Sequence, residues 1–390
     1  MRDAAFADER RWEGVFGVYR HVFVARSRRA VARAQDGGIV TALLAWARET
    51  GRIDGAALAA VGEDDPPCFP SPRLATTVAE IEASAGSWYT YCPNPLALSQ
   101  AKTDGLQRVA FVGVPCQVTP VRKMGSVDPG FLLREGKHHT MVGHQRRFLR
   151  GLSERVAISV GLFCTEVFRP ELMTERVQER MGIALADVEK FNVKGEVLIH
   201  TRDGSVASVP LAEAMAEYQR PACAHCTDFS AELADISCGG IGTDRATLVV
   251  LRTAAAVELW RDFEASGQVE TWPIAEHRKA WNMLQRMARR QRERVPSPNA
   301  PIEYRRRVVA DEAVERLHTA GISAVEIDKR LDAAYAGEAR PGATLPRPGL
   351  PIPGDPGDPA PGEKRALPPP PTAEEGGAAP MEELAIERCA

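Results

Sequence analysis

Two kinds of apolar spacing run along the chain. Short continuous runs read as strands: VFVA at 22–25, GAALAAV at 55–61, RVAFVGV at 108–114, VAISVGLF at 156–163, ISCGGIG at 236–242 and TLVVLRT at 247–253. A strand that is apolar at every position is covered on both faces, which is the setting of a parallel sheet. Between these runs, apolar residues recur at helical spacing in GGIVTALLAWARET (37–50), TVAEIEASAG (77–86), 95–104, a stretch near 143–151 and ELMTERVQERMG (171–182). Gly86 supplies a stop for the second of these. The segment 188–211 behaves differently. It alternates and carries an Asp203-Gly204 turn, which predicts a β-meander. From 254 onward the pattern is helical until the tail. The expected fold is therefore α/β: a mixed or parallel sheet body with flanking helices, a β-meander insertion, a helical C-terminal region and a disordered Pro-rich tail.

The tail follows from composition. Of the 29 prolines, thirteen lie between Pro341 and Pro380, and that stretch has no aromatic residue. It cannot bury enough apolar surface to offset its ordering entropy. The rest of the 390 residues has ordinary globular character, with 44% hydrophobic and 26% charged residues over the whole chain. A net charge of −3 argues against a general nucleic-acid binder. No apolar run reaches the roughly 18–20 residues that span a bilayer, and MRDAAFADERRWEG at the start has no apolar core of a signal peptide. A cytoplasmic setting is expected, where thiols stay reduced. The eight cysteines then suit metal, cluster or catalytic roles better than disulfides.

Four of them have informative addresses. Cys223-Ala-His-Cys226 is a CxxC, which can turn two thiolates toward one centre. Cys116 follows the strand at 108–114, and Cys164 ends the strand at 156–163. Both therefore belong to carboxyl ends of buried strands, the edge where open α/β sheets hold ligands. Converging there, the four thiolates would suit zinc or an iron–sulfur cluster. Ligands scattered over about a hundred residues favour a cluster over a compact zinc ribbon. Inert buried cysteines beside a chance CxxC remain the bland alternative.

Two further features bear on ligand binding. Gln35-Asp36-Gly37-Gly38-Ile39-Val40-Thr41 precedes an amphipathic helix, so its backbone can approach an anion such as a flavin pyrophosphate. A simple turn that starts a helix would look the same. Gly86-Ser87-Trp88-Tyr89-Thr90 combines small, aromatic and hydroxyl residues and could lie along a flat cofactor, or could be core.

Together these strings carry a resemblance. QDGGIVTALL, LATT, AGSWYT, AFVGVPCQ, GLFCTEVF, KFNVKG, RPACAHCTDFSAELADIS and GGIG occur in the order found in the coenzyme F420-reducing hydrogenase/dehydrogenase beta-subunit family. The match spans roughly 15–295. It implies that 15–110 is the N-terminal part of that family's domain and 111–295 the C-terminal part with the cluster ligands, followed by a helical extension at 300–336 and the tail at 337–390. It also implies FAD and a 4Fe-4S cluster, with Cys116, Cys164, Cys223 and Cys226 as ligands. Asp36, Gly37, Gly38 and Thr41 would line FAD, with Ser87, Tyr89 and Thr90 near it and Lys194 meeting flavin or anionic substrate. Unlike many relatives, the chain has no ferredoxin-like cysteine run at either end, so a ferredoxin or partner subunit would exchange its electrons. Cys68, Cys92 and Cys238 lie outside the matching motifs and read as buried thiols.

The function implied is electron transfer between coenzyme F420, as hydride, and a cluster, with FAD between them because it handles both electron pairs and single electrons. F420 is anionic, so Arg73 or Lys194 could hold it, though Arg73 equally suits solvated surface. Rival readings are a ferredoxin-dependent tetrapyrrole reductase on the same scaffold, a non-catalytic electron-transfer subunit and a zinc-stabilised binding protein. An oligomer is expected. The Arg-rich stretch 278–307 carries Trp281, Leu284 and Met287 on one stripe and reads as a packed helix with a basic face. Residues 311–334 read as two helices joined at Gly321.

Overall fold

The computed structural model of the chain describes residues 12–126 and 139–293. The expected helical extension at 300–336 and the Pro-rich tail lie outside the described residues. A short hairpin, β1 (Trp12–Gly14) and β2 (Gly17–Tyr19), precedes β3 (His21–Ser27). Then come α1 (Ile39–Glu49), β4 (Gly55–Ala60), β5 (Ser71–Ala75), α2 (Val78–Ala83), α3 (Ala97–Thr103), β6 (Val109–Gly113), α4 (Pro115–Ser126), α5 (His139–Ser153) and β7 (Val156–Leu162). A π-helical segment (Leu172–Arg180) leads to the meander β8 (Val188–Val193), β9 (Glu196–Thr201) and β10 (Val206–Pro210), and to α6 (Leu211–Tyr218). β11 (Ile236–Gly239), β12 (Thr247–Leu251), α7 (Ala254–Ala265), β13 (Val269–Pro273) and α8 (Arg278–Arg292) follow.

Eight strands form one sheet in the order β13-β3-β12-β11-β7-β6-β4-β5. Its middle, β4-β6-β7-β11, is parallel. The flanks are antiparallel, since β12 pairs antiparallel with both β11 and β3, β13 with β3, and β5 with β4. The apolar runs at 22–25 and 247–253 are thus covered on both faces, as expected, yet lie in antiparallel pairings. Alternation shows the two-sided cover. Val22, Val24, Leu248 and Val250 face one apolar cluster with Trp281, Leu284 and Ala288 of α8. Ala25, Val249 and Leu251 face the other, with Leu43 and Trp46 of α1 and Trp260 and Phe263 of α7. Burying a side chain such as Phe263 contributes about 1.5–3 kcal/mol, so these two layers are a main source of stability.

The meander forms a separate three-stranded antiparallel sheet. Phe191, Val197, Ile199 and Val209 bury its apolar face against Phe168, Leu172 and Tyr218, with Trp88 and Tyr89 at the margin. Three predicted features differ. The segment 171–182 is wound as a π-helix. The run from 254 is interrupted by β13, an edge strand, where the sequence pattern predicted helix. β5, also an edge strand, is a short and mostly polar SPRLA that the apolar pattern did not mark.

Candidate functional site

Strand direction explains where the site lies. β12 runs opposite to β11, and β3 runs opposite to β12, so β3 is co-directional with β4, β6, β7 and β11. Five strands therefore point their carboxyl ends to one side of the sheet, where open α/β sheets hold ligands. A cavity of about 1170 Å³ opens there. It is lined by Asp36 and Gly38 after β3, Leu58 of β4, Cys116 after β6, Cys164 after β7 and Gly240 after β11. The 84–95 loop forms one wall, and Val193, Lys194 and Gly195 of the meander another.

Cys116 sits in the first turn of α4 and Cys164 two residues beyond β7. Both line the cavity. The Cys164 N–H donates to the Phe229 carbonyl at 2.9 Å, which draws β7's end against the segment after the CxxC. The Val167 N–H donates to the Cys223 sulfur at 3.5 Å, tying the same two segments again. Burial pushes the Cys164 thiol well above its ordinary pKa, and repulsion from Cys223, Cys116 and Cys226 adds to it. Burial likewise raises Cys116; the Arg220 guanidinium opposes that and Cys223 reinforces it. The four thiols are thus close enough to feel one another's charge. The seven cysteines among the described residues are all free thiols. No group of three His, Cys, Asp or Glu side chains among the described residues converges on a point where a single ion would sit.

On the other side of the cavity, α1 starts at Gly38, which has φ +68° and gives the helix no side-chain cap. The first turn carries no acidic residue, and Ile39, Val40 and Thr41 line the cavity. Free N–H groups at such a start favour an anion. The two glycines have local reasons. A Cβ on Gly37 would stand 2.7 Å from the Ala25 carbonyl oxygen and 2.8 Å from the Thr247 nitrogen, so only glycine fits between β3 and β12. The nearest atoms to a Cβ on Gly38 would be side-chain carbons of Ala34, Val31 and Ser27, at 3.6–3.7 Å. Gly38 is favoured by its left-handed backbone, and it lines the cavity.

Asp36 and Lys194 are both at the cavity, joined as an ion pair at 3.0 Å. The Gln35 amide donates to the Phe191 carbonyl at 2.8 Å, which fastens β8 beside the glycine turn. Tyr89, at φ +53°, lines the cavity. Burial pushes its phenol up to about 12, while hydrogen bonds with the Val193 backbone and the Ser87 side chain act in the opposite direction. Thr90 also lines the wall, but its hydroxyl donates to the Phe168 carbonyl at 3.3 Å. Arg73 is paired with Asp65 at 2.8 Å on β5 and is not among the cavity-lining residues. Cys68 and Cys238 are buried, as expected; Cys92 is half-buried and lines the cavity.

Sequence models of the coenzyme F420 hydrogenase/dehydrogenase beta subunit match this chain over 22–99 for the N-terminal part and 106–277 for the C-terminal part. The coenzyme F420 hydrogenase subunit beta of Methanosarcina barkeri is 35% identical over 295 residues, 74% of this chain and 93% of that protein. The chain belongs to the coenzyme F420 hydrogenase/dehydrogenase beta-subunit family. Its fold is similar to a chain in the F420-reducing [NiFe] hydrogenase complex of Methanosarcina barkeri, with a TM-score of 0.63 and 32% identity over 78% of this chain and 94% of that one. Another relative, the coenzyme F420-dependent sulfite reductase of Methanocaldococcus jannaschii, is 34% identical over 228 residues, 58% of this chain but only 34% of that enzyme. Family membership thus rests on the whole sheet body.

Several residues at the site were not singled out as candidates from the sequence, although Arg220 and Gln117 lie inside the matching strings. Arg220 lines the cavity, stacks over Tyr91 at 5.0 Å and acts on Cys116. Gln117 accepts from the Val114 N–H at 2.8 Å and donates to the Cys92 carbonyl, so it braces the loops around Cys116. Lys279, Met283 and Met287 of α8 also reach the cavity. The GGIG string flagged their neighbourhood, because Gly242 lies against the backbone of Lys279 and Ala280. No helix among the described residues is long and apolar enough to cross a membrane.

Proposed function

We propose that the chain is a flavin and iron–sulfur oxidoreductase subunit that passes electrons between coenzyme F420 and a partner subunit or ferredoxin. FAD would occupy the cavity, and a 4Fe-4S cluster would be held by Cys116, Cys164, Cys223 and Cys226. One observation carries the reading: Cys116 and Cys164 line the same cavity as the uncapped start of α1 and the Ser87–Thr90 wall. A ligand there stands beside the thiols, so no long internal path separates a hydride site from an electron exit.

The residues fit both groups chemically. Four free thiols from three segments share one neighbourhood, and their burial and mutual repulsion disfavour thiolate unless positive charge joins them. A cubane gives each iron its own thiolate, so its ligands stand farther apart than four around one zinc, with Zn–S of about 2.3 Å. When bound, FAD would exchange electron pairs with F420 and single electrons with the cluster. The start of α1 would hold the flavin's phosphates by its N–H groups. Tyr89, kept protonated at neutral pH, would donate from a fixed position, because Ser87 and the Val193 backbone bond its phenol. Lys194, half exposed beside Asp36, would meet the carboxylates or phosphate of F420.

The relatives named as F420 hydrogenase subunits support a partner subunit. The test is anaerobic mixing of the purified holoprotein with reduced coenzyme F420. The expected result is bleaching of flavin and cluster absorbance as oxidised F420 appears, within the time of mixing. Flavin and iron that stay oxidised would refute F420 as donor, and would favour the tetrapyrrole-reducing or passive-subunit reading.

A further inference from the structure

Helix α8 carries charge of one sign. Its residues include Arg278, Lys279, Arg286, Arg289, Arg290 and Arg292, and no Asp or Glu. Arg278, Asn282, Arg286 and Arg290 recur every four residues, so they share one face, and all four are exposed. Lys279, also exposed, stands beside them at the start of the helix. Arg292 is held by a two-pronged ion pair with Glu232 at 2.7 and 2.8 Å. Among the described residues, none of Arg278, Lys279, Arg286 and Arg290 pairs with a carboxylate. Like charges four positions apart repel each other, and cations in a first turn oppose the helix dipole. The helix gains no stability from this arrangement, in a chain whose net charge is −3.

The basic face is fixed in place, and it ends at the cysteine site. Trp281, Leu284 and Ala288 bury another side of the helix against the sheet. Next to Arg290, the buried Gln291 donates from Nε2 to the Thr165 carbonyl at 3.3 Å, one residue from Cys164. Glu232, the partner of Arg292, lies on the segment that leaves the CxxC, and its N–H donates to the Asp228 carboxylate at 3.0 Å. From Arg278 to Arg290 the face extends roughly 18 Å, at 1.5 Å per residue. It shows no large apolar side chain: the exposed ones among the described residues are Tyr91, Leu96, Phe148, Leu149 and Val206, all on other elements. Permanent subunit interfaces have an apolar centre, whereas brief electron-transfer encounters are small and steered by charge.

We propose that the exposed basic face of α8 is the docking surface for a small acidic one-electron carrier protein of the ferredoxin kind, which exchanges electrons with the cysteine site at the C-terminal end of the helix. This rests on the F420 and cluster reading above, and at this face it selects a transient carrier over a permanent subunit. An acidic patch on the carrier supplies the counter-charge that the free arginines lack. One electron crosses per docking event. Two reduced carriers, two protons and oxidised F420 therefore give two oxidised carriers and reduced F420. A nucleic acid or an anionic membrane would also meet the charge, but neither accounts for a basic face that ends beside the loops of Cys164 and Cys226.

The test follows anaerobic reduction of F420 by the full-length holoprotein, driven either by a reduced acidic bacterial ferredoxin or by reduced methyl viologen, a cation that the basic face does not attract. Arg286→Glu and Arg290→Glu are combined. Arg261→Glu is the control, an exposed arginine on α7, which covers the opposite face of the sheet. The wild-type rate with ferredoxin should fall between about 0.01 and 0.15 M ionic strength, as the Debye length shrinks from about 30 to 8 Å. At low salt the double variant should be slower with ferredoxin by about tenfold or more, and should lose most of that salt dependence. Its rate with viologen and its melting temperature should stay at wild-type values. Should the double variant fail to fold, Arg286→Gln with Arg290→Gln is read in the same way. An unchanged ferredoxin rate, or an equal loss in Arg261→Glu, overturns the proposal. So does a melting temperature lowered by several degrees in both the Glu and the Gln pairs, which would show that the chain itself covers the face. Binding of a duplex DNA oligomer or of phosphatidylserine vesicles that the variants abolish, with ferredoxin turnover intact, assigns the face to those surfaces instead. Wild-type protein that cannot reduce F420 even from viologen overturns the F420 reading, and the proposal with it.

Discussion

The two sides of the cavity differ in what they lack. On the glycine side, most groups are satisfied by the protein. Asp36 has Lys194, Gln35 has the Phe191 carbonyl, and Tyr89 has Ser87 and Val193. Only the start of α1 is open. On the cysteine side, burial and repulsion hold Cys164 well above its ordinary pKa. Burial likewise raises Cys116 and Cys226, so these thiols would ionise readily only beside a positive partner. On the reading proposed above, the cysteine side gathers thiols suited to a shared ligand, whereas the glycine side is built first to fold and can receive a ligand afterward.

The sharpest way to break that contrast is Cys223→Ser. If the thiols hold a cluster, the variant loses most of its iron and much thermal stability, because ligation is coupled to folding. Full iron, measured by elemental analysis, would dissolve the contrast. Arg252→Met comes next. Arg252 is 0% exposed and donates to the Val18 and Ser230 carbonyls and to the Ser237 and Ser230 hydroxyls. It also holds down the Asp228 carboxyl, which burial and then Glu232 push up to about 7. Removing one member of a buried charged group costs about 3–5 kcal/mol, to be read from urea unfolding with an unchanged slope.

The glycine side should respond more mildly. Gly37→Ala forces a Cβ against backbone at 2.7 Å and should cost about 1–3 kcal/mol. Gly38→Ala, strained only by its φ, should cost about 1 kcal/mol. Flavin per folded chain should stay constant in Gly38→Ala, since the new Cβ points at Ala34 and Val31. Loss of flavin without loss of fold would show that Gly38 is shaped for the ligand. The smallest effect is remote from both sides. Burial alone would raise the Asp54 carboxyl, but the Arg108 and Gln107 N–H groups and the Arg108 guanidinium hold it below its ordinary value. Its contribution is therefore present above the unfolded pKa and fades as pH falls through the native one. Asp54→Asn should lower stability by about 0.5–1.5 kcal/mol at pH 7, and the gap from wild type should close toward pH 2 in thermal unfolding.

Much of the fold was legible because the central strands are apolar on both faces and short. That pattern reports cover, not direction, so β3 and β12 were placed in a sheet correctly without their antiparallel pairing. β5 and β13 escaped because edge strands are covered less and tolerate polar residues and proline. α4 escaped because Pro120 and Gly125 break helical spacing, although it carries Cys116. At the site, cysteines announce themselves by residue type, and CxxC by spacing. Gln291 and Arg252 do not, since a glutamine in an Arg-rich helix resembles any surface amide. Their meaning comes from the packing of α8 and β12 against loops distant in sequence. The sequence presents Lys194 as a residue that could meet flavin or an anionic substrate, and its partner Asp36, 158 residues away, is visible only in three dimensions.

The most direct measurement of the central claim is the cofactor content of the purified, anaerobically prepared chain. The account predicts one FAD, four irons and four acid-labile sulfides per folded molecule, with the iron and sulfide lost together in Cys223→Ser. One zinc in place of iron and sulfide, with no flavin, would contradict it.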